Sequence, residues 1–265
     1  MNDTEPYVVK EYKNIYFAFK PPYWNCVTGQ DYIKLKQKNV KNLFLDFVKS
    51  LTQNSNVNDV KYDFGMSNRL DYETSGIVII AKNIDSYKKY RKQINDHKNT
   101  TKIYVALVNG EIKTTYGIIS IGLSKNEKIH KTYPDENGKF SFTEYVKINT
   151  YIKDDEIYTL LLIKIKTGRT HQIRVHLKYL NHNVVCDKTY NPNNKSCKIS
   201  SRLFLHALYY KIENDIDCYV KIPKDLDDAL NSLTLLHKYI NKNNAFDILK
   251  TNCLTDEVVS DLQEK

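Results

Sequence analysis

The sequence predicts an α+β fold. Segments with the alternating or continuously apolar pattern of β-strands outnumber those with helical spacing, and the two kinds do not alternate regularly along the 265 residues. A doubly wound parallel sheet needs that alternation, so its absence favours the α+β class. No internal repeat or break in composition divides the chain. We therefore expect one domain over residues 14–240, with an N-terminal extension (1–13) and a polar C-terminal tail (241–265).

The first half of the chain predicts three strands separated by helices. Asn14 to Phe19 alternates and is rich in β-prone side chains, and Lys20-Pro21-Pro22 stops the strand. Leu43, Phe47 and Leu51 recur at helical spacing, and a polar loop follows them. The predicted elements are strands at 14–19, 76–81 and 102–108, helices at 42–51 and 85–94, and a loop at 52–59.

The second half predicts a long hairpin, a short helix, two late strands and a final amphipathic helix. The hairpin strands flank Asp154-Asp155-Glu156, and Thr167-Gly168 ends the second of them. Thr170 is the expected N-cap of a helix in which Ile173 and Leu177 line one face. The predicted elements are strands at 140–151, 157–166, 203–212 and 217–222, and helices at 170–180 and 225–240.

Composition favours a cytoplasmic protein with a polyanionic partner. The net charge of +9 suits a polyanion, because neutralising phosphates releases their counterions. No apolar run reaches the roughly 18 residues of a membrane helix, and the acidic N-terminus is not a leader sequence. The cytoplasm is therefore expected, with the nucleus and organelles as alternatives. The five cysteines form no CxxC pair, so we expect reduced, unligated thiols. No coiled-coil heptads occur, which favours a monomer.

Arginine is rare in this chain and concentrated in two segments. Five of the 40 basic residues are arginines, and three of the five lie in these segments. The first segment is Asn68-Arg69-Leu70-Asp71-Tyr72-Glu73-Thr74-Ser75-Gly76, and the second is Thr167-Gly168-Arg169-Thr170-His171-Gln172-Ile173-Arg174-Val175-His176-Leu177. Lysine replaces arginine as a solvated charge, but not as a planar fork that grips a carboxylate or phosphate. The two segments therefore mark a site.

Asp71 is the candidate reactive group of that site. It precedes the predicted strand 76–81, and Arg174 lies one turn into a helix that also begins where a strand ends. If these strand ends meet, the two side chains form an ion pair. An oriented carboxylate without a metal indicates nucleophilic or general-base work on a neutral electrophile. His171 and His176 do not have the spacing of metal ligands on a helix, so we expect structural roles for them and no metal.

The two segments resemble the signatures of the RluA-type pseudouridine synthases, His-Arg-Leu-Asp-x-x-Thr-Ser-Gly and Gly-Arg-Thr-His-Gln-Ile-Arg-Val-His. Further matches are Ala18-Phe19-Lys20-Pro21-Pro22 to the family's Lys-Pro segment, Lys102-Ile103-Tyr104-Val105-Ala106-Leu107-Val108 to its Lys-x-Tyr-x-Ala strand, and Leu203-Phe204-Leu205-His206-Ala207 to its late Leu-His-Ala strand. The resemblance covers roughly residues 14–223. It implies one catalytic domain with a mainly antiparallel mixed sheet, flanked by helices and crossed by the active-site cleft.

The resemblance implies isomerisation of uridine to pseudouridine in ribosomal or transfer RNA, without a cofactor or metal. Asp71 would start cleavage of the glycosidic bond by attack on C1′, by addition to the base or by removal of the 2′ proton. The freed uracil would rotate and rejoin the ribose through C5. Tyr104 would stack on the uracil and help remove the C5 proton, and Arg174 would pair with Asp71. The other implied contacts with RNA are Leu205 as an apolar wall, Arg69 in the gap left by the flipped uridine, Thr74, and Arg169, which either binds phosphate or fastens the strand-to-helix turn.

Three departures from the family pattern stand out. Asn68 replaces the usual histidine, Cys186-Asp187 replaces Gly-Asp in a loop near Tyr190, and we expect no N-terminal RNA-binding module of the kind that many relatives carry, because the resemblance begins near residue 14. Two other functions fit the same residues. One is a non-catalytic RNA-binding or RNA-folding protein on this scaffold, and the other is a hydrolase that releases free uracil. Arg202, outside both segments, is expected to be a surface charge.

Overall fold

The computed structural model describes residues 3–96, 100–193, 195–213, 216–240, 244, 245, 247 and 249. The chain divides into two compact units, the first formed by residues 1–100 and 207–221 and the second by residues 101–206 and 222–265. Both units contain helices and largely antiparallel strands, which confirms the α+β class. Within the part of the chain that is described, no helix is long and apolar enough to cross a membrane.

Eleven strands and five helices make up the described secondary structure. The strands are β1 (Tyr7–Glu11), β2 (Ile15–Lys20), β3 (Ser75–Ala81), β4 (Thr100–Asn109), β5 (Tyr116–Asn126), β6 (Lys131–Pro134), β7 (Lys139–Lys153), β8 (Glu156–Ile165), β9 (Leu205–Ile212), β10 (Asp217–Tyr219) and β11 (Thr234–Lys238). The helices are α1 (Gly29–Gln37), α2 (Phe44–Leu51), α3 (Ile84–Asn95), α4 (Gln172–Tyr179) and α5 (Lys224–Asn231), with 3₁₀ segments at Val60–Gly65 and Lys195–Lys198.

The first unit packs α3 against one face of a sheet in the order β1-β2-β3-β9, with β10 beside β9. Strands β1, β2 and β3 pair antiparallel, as do β9 and β10. Alternate residues along β2 point to the same face of the sheet, which explains the alternating pattern of residues 14–19 in the sequence. The buried side chains of this core are Ile15, Phe17, Phe19, Ile77, Ile79, Tyr90, Ile94, Tyr210, Ile212, Cys218 and Val220.

The second unit contains strands in the order β4-β8-β7-β5-β6. Strand β11 pairs with residues 149–152 of β7, beyond the residues of β7 that pair with β5. Every pair in this order is antiparallel. The predicted long hairpin is β7–β8, and its turn residues Asp154 and Asp155 both have positive φ values, 50° and 60°. Such a pair matches the twist of the two strands it joins. The hairpin prediction is therefore confirmed.

Three local predictions are wrong. The predicted helix 225–240 ends at Asn231, and Thr234–Lys238 forms β11 because the edge of β7 pairs with it at Asn149 to Ile152. The predicted strand 217–222 stops at Tyr219. The N-terminal capping position of α4 is His171, not Thr170, and His171 has a left-handed backbone and makes no side-chain capping bond.

Two predictions about side chains are also wrong. Arg202 is not a surface charge: it is completely buried, and its Nε and Nη2 atoms donate to the two carboxylate oxygens of Asp225 at 2.6 and 3.1 Å. The cysteines are not all reduced, because the fold brings the Cα atoms of Cys186 and Cys197 within 4.5 Å of each other in a disulfide. Cys26 and Cys218 are free and buried, and Cys253 lies outside the described residues.

The predicted domain limits stay predictions. Strand β1 falls within the predicted extension 1–13 and pairs with β2. Most of the predicted tail, 241–265, lies outside the described residues, but Ala245 and Leu249 are completely buried.

Candidate active site

In the first unit, Asp71 lies on a tight turn that leads directly into β3. The amide of Thr74 donates to the carbonyl of Asp71 at 3.1 Å, and the strand begins at the next residue. The Asp71 side chain is half-buried, Arg69 is exposed, and Thr74 is 2% exposed. The turn thus presents the side chains of Asp71 and Arg69 near the surface, whereas Thr74, which precedes the strand, is buried. This is the loop position that the sequence predicts for Asp71.

A buried lysine fixes this turn, a role that the residues around Lys20 in the sequence do not predict. Lys20, at the end of β2, is completely buried. Its Nζ donates to the carbonyls of Pro21, Trp24 and Tyr72 at 2.8, 3.0 and 3.2 Å. Hydrogen bonds from a charged donor are stronger than neutral ones, and an ammonium needs such partners to be buried at all. Lys20 therefore holds the carbonyl of Tyr72, the residue that follows Asp71.

The replacement of histidine by Asn68 has a structural role in this chain. The Asn68 Oδ1 accepts from the amide of Ile79 at 2.8 Å, and the amide of Ser67 donates to the carbonyl of Ile79 at 2.8 Å. The segment before Asp71 is thereby attached to the middle of β3. Near the start of β3, Gly76 has φ of 129°, and a Cβ on this residue would lie 2.3 Å from the carbonyl oxygen of Ala207. Only glycine fits this position.

In the second unit, β4 carries the predicted residue Tyr104 beside an unusual lysine. Tyr104 is 9% exposed and lies opposite Ile163 of β8. Lys102, two residues earlier, is 6% exposed, and burial lowers the pKa of its ammonium to about 8. Desolvation disfavours the charged form, so a buried amine releases its proton more readily. A neutral amine is thus accessible to Lys102 at mildly alkaline pH.

Arg174 makes a buried, two-pronged ion pair with Asp187. Its Nε donates to Oδ2 at 2.8 Å and its Nη2 donates to Oδ1 at 2.7 Å. Arg174 is 4% exposed and Asp187 is 1% exposed. The same Oδ1 accepts the amides of Thr189 and Tyr190, each at 3.0 Å, so the carboxylate also orders the loop that follows it. The sequence does not predict this partner of Arg174, since Asp187 stands out there only as part of a departure from the family pattern.

Tyr190 packs against this ion pair and connects it to the start of α4. Its ring lies 5.1 Å from the Arg174 guanidinium carbon. Its hydroxyl accepts the amide of Thr132 at 3.0 Å and shares a hydrogen bond of 2.9 Å with Nδ1 of His171. The guanidinium of Arg174 is therefore held at its edge by Asp187 and on its face by the Tyr190 ring.

Gln172 and His176 form the polar core of the second signature segment. The Gln172 Oε1 accepts the Thr167 hydroxyl at 2.7 Å and the Arg169 amide at 3.0 Å, and its Nε2 donates to Phe142 O at 3.0 Å. Because Gln172 caps the turn before α4, no capping oxygen is needed from Thr170. His176 is completely buried, and burial lowers the pKa of its imidazole to about 4. The expectation of structural roles for the two histidines agrees with these contacts.

Arg169 lines a cavity of about 450 Å³ in the second unit. Its Nε donates to the carbonyl of Phe140 at 3.2 Å, and its amide is bound by Gln172, so it fastens the strand-to-helix turn. The cationic side chains Lys125 and Lys139 line the same cavity. Contact of Arg169 with RNA stays a prediction.

The predicted site residues belong to both units. Arg69, Asp71 and Thr74 lie in the first, and Tyr104, Arg169, Arg174 and Leu205 lie in the second, where Leu205 is 4% exposed at the start of β9. The pairing of Asp71 with Arg174 stays a prediction. Among the described residues, no group of three His, Cys, Asp or Glu side chains is placed to hold a metal ion.

This fold and these two segments define a class of protein. Residues 14–179 match the model of a family described as RNA pseudouridylate synthase. The match covers more than half of the chain, and the chain belongs to the RNA pseudouridylate synthase family. The resemblance inferred from the two arginine-containing segments is confirmed.

Individual relatives agree with this membership. The ribosomal large subunit pseudouridine synthase D of Borreliella burgdorferi is 37% identical over 179 residues, which are 67% of this chain and 52% of that protein. An RNA pseudouridine synthase of Helicobacter pylori strain J99 is 34% identical over 204 residues, 77% of this chain and 69% of the relative. The chain thus spans about half the length of the Borreliella protein.

A solved structure shares the fold. Human RNA pseudouridylate synthase domain containing 1 superposes with a TM-score of 0.68 over 95% of this chain and 97% of the human chain, at 22% sequence identity. At that identity the likeness shows the fold, and it agrees with the α+β class described above.

Proposed function

We propose that this protein is an RNA pseudouridine synthase that converts uridine in structured RNA to pseudouridine, with Asp71 as the catalytic residue. The observation that carries the proposal is the Asp71 carboxylate itself. It is half-buried on a turn at the mouth of β3, and the buried ammonium of Lys20 fixes the carbonyl of the next residue, Tyr72. A reactive group held in this way meets its substrate without further reorganisation.

The proposed reaction is an isomerisation and needs no external donor. The target uridine is flipped out of the RNA, because its glycosidic bond cannot be reached while the base is stacked. Asp71 starts cleavage of the bond between N1 and C1′, and the uracil rotates in place. A bond then forms between C5 and C1′, and the proton on C5 leaves while N1 gains one. Atoms and charge balance without a cofactor.

The other site residues receive supporting roles in this proposal. Tyr104 stacks on the uracil and takes part in removal of the C5 proton. Arg174 pairs with Asp71, and Leu205 provides an apolar wall. Arg69 fills the space that the flipped base leaves, and Thr74 and Arg169 contact the RNA. The net charge of +9 supplies affinity for phosphate without reading sequence.

Ribosomal RNA is the first substrate class to test, since the name of the Borreliella relative refers to the large ribosomal subunit. Transfer RNA is the second. The cytoplasm, where both RNA classes occur, is the proposed location, and a monomer is the proposed state of the protein.

The test is release of tritium from unmodified ribosomal and transfer RNA labelled at C5 of uridine. Formation of the new C5–C1′ bond expels this label. We expect release by the wild type and by Asp85→Ala, a matched control at an exposed acid of α3, and none by Asp71→Ala. The Asp71→Ala protein should bind RNA as the wild type does.

Other outcomes identify the alternatives. Tight RNA binding without tritium release from either RNA class would identify a non-catalytic RNA-binding protein. Chromatographic detection of free uracil would identify a hydrolase that cuts the same bond. Full activity of Asp71→Ala would refute the role of Asp71 whatever the reaction is.

A further inference from the structure

Two exposed tyrosines lie beside the Asp71 turn and have no role in the reaction proposed above. Tyr72 directly follows Asp71 and is 49% exposed, and Tyr23 is 38% exposed. Their ring centroids are 5.7 Å apart and their planes are inclined by 68°. The rings meet edge to face, so they are not stacked on each other. The pair therefore places two aromatic rings at the surface, next to the candidate catalytic carboxylate.

The backbone beneath these rings is fixed in an unfavourable conformation. Tyr23 has φ of 64°, in the left-handed region that a bulky aromatic residue rarely adopts. Its amide donates to the carbonyl of Tyr72 at 2.8 Å, and Lys20 Nζ donates to the same carbonyl at 3.2 Å. Strain of this kind persists where the surroundings over-determine it and is concentrated at functional sites. The positions of both tyrosines are thus tied to the turn that carries Asp71.

The neighbouring charge and the chemistry of the rings indicate what binds there. Arg69 is exposed two residues before Asp71, which favours an approaching phosphate backbone. Every nucleobase has a π-face that stacks on an aromatic side chain, largely independently of sequence. A base inside a continuous RNA helix has both faces covered, whereas a base in a loop or bulge does not. An unpaired base close to the target uridine is the ligand that fits two exposed rings at this place.

We propose that Tyr23 and Tyr72 form a stacking surface for an unpaired base that neighbours the target uridine. The substrate class is then uridines in loops, bulges or single-stranded segments, not uridines within uninterrupted helices. This inference rests on the proposed function, because Asp71 defines which uridine is the target. Tyr72 is accordingly a positioning residue: it holds the RNA and does not touch the reacting atoms.

The first test is the steady-state kinetics of tritium release with Tyr72→Ser, Tyr23→Ser and Tyr72→Phe, on the RNA class that the wild type modifies. Loss of one stacking contact should raise KM about tenfold, and kcat should change little, because the Asp71 turn is held by backbone contacts. Tyr72→Phe keeps the ring and should behave as the wild type. Tyr179→Ser is the matched control, since Tyr179 is 55% exposed at the end of α4, in the other unit.

The second test measures binding without turnover. A fluorescent oligouridylate of about ten residues, a length that one single-strand binding site covers, carries either one central 2-aminopurine or one central abasic residue. With the full-length wild type, the 2-aminopurine emission should be quenched, and the abasic oligonucleotide should bind about tenfold more weakly. With Tyr72→Ser, quenching should be lost, and the two oligonucleotides should bind equally.

These two tests separate the stacking surface from the catalytic proposal. If the wild type releases no tritium from any RNA but Tyr72→Ser abolishes quenching and the preference over the abasic oligonucleotide, the catalytic proposal fails and the stacking surface stands. If Tyr72→Ser and Tyr23→Ser leave KM, quenching and the abasic preference as they are in the wild type, the stacking surface is refuted. A loss of kcat in Tyr72→Ser without a change in KM also refutes it, because it would assign Tyr72 to the chemistry.

Discussion

Replacing Lys20 with methionine tests whether one buried ammonium holds the Asp71 turn. Methionine has a similar length and is apolar, so the change removes the donor and fills much of the same space. The three acceptor carbonyls belong to Pro21, Trp24 and Tyr72, at 2.8, 3.0 and 3.2 Å from Nζ. The Tyr72 carbonyl keeps a hydrogen bond from the Tyr23 amide, so the main loss of hydrogen bonding falls on the carbonyls of Pro21 and Trp24.

The size of the effect follows from these contacts. A hydrogen bond to a charged group contributes about 1.5–3 kcal/mol, which gives about 3–6 kcal/mol for the two shorter bonds. Part of this loss is offset, because the methionine variant no longer has to desolvate a buried ammonium. We therefore expect the free energy of unfolding to fall by about 3 kcal/mol. A displacement of Asp71 by about 1 Å would lower kcat by roughly a hundredfold.

The assay combines urea unfolding at neutral pH with tritium release from unmodified RNA. Lys13→Met is the control, since Lys13 lies near the start of the same strand and is exposed. It should change stability by no more than about 0.5 kcal/mol. If Lys20→Met were as stable as the control and kept the wild-type kcat, Lys20 would not position the turn.

Three further predictions concern the second unit. In a double-mutant cycle, Arg174→Met and Asp187→Asn should each lower the free energy of unfolding by about 3 kcal/mol, and the double variant should lose far less than the sum; additive losses would contradict the buried ion pair. His176 has a folded-state pKa of about 4, below its ordinary value of 6.5, so the unfolded chain binds more protons between these pH values. The wild type should lose about 3 kcal/mol of stability as pH falls from 6.5 to 4, His176→Gln should lack this component, and identical urea midpoints across the range would disprove the assignment. Reduction of the disulfide between Cys186 and Cys197, 11 residues apart, should lower stability by about 3 kcal/mol in the wild type and not in Cys197→Ser; an equal response in both would show that the bridge does not contribute.

Local structure could be predicted where side-chain periodicity and burial agree. The alternation of Ile15, Phe17 and Phe19 predicts β2, because these residues share the face that packs on α3. Asp154 and Asp155 predict the β7–β8 turn, since short polar side chains tolerate the left-handed backbone found there. The loop position of Asp71 followed from the apolar strand after it. In each case the information lies within a few residues of the element.

What could not be predicted depends on partners far away in sequence. The periodicity of residues 225–240 fits a helix, but residues 234–238 pair with β7, about 85 positions earlier. Arg202 looks like a solvated charge until Asp225 is placed beside it. Lys20 and Asp187 were visible only as members of short motifs, because their contacts with Tyr72 and Arg174 are tertiary. The polar contacts that fix the candidate site are mostly of this kind.

The position of Lys20 has a consequence for how this protein can be altered. The Lys20 ammonium binds the carbonyls of Pro21 and Tyr72, so one side chain holds the residues on either side of the segment 22–71. Helices α1 and α2 and the exposed turn at Gln53 and Asn54 belong to this segment. Lengthening such a loop by ten residues or so costs well under about 1 kcal/mol in closure entropy. New segments can therefore be inserted at this turn, by evolution or by design, while the Asp71 carboxylate keeps its place.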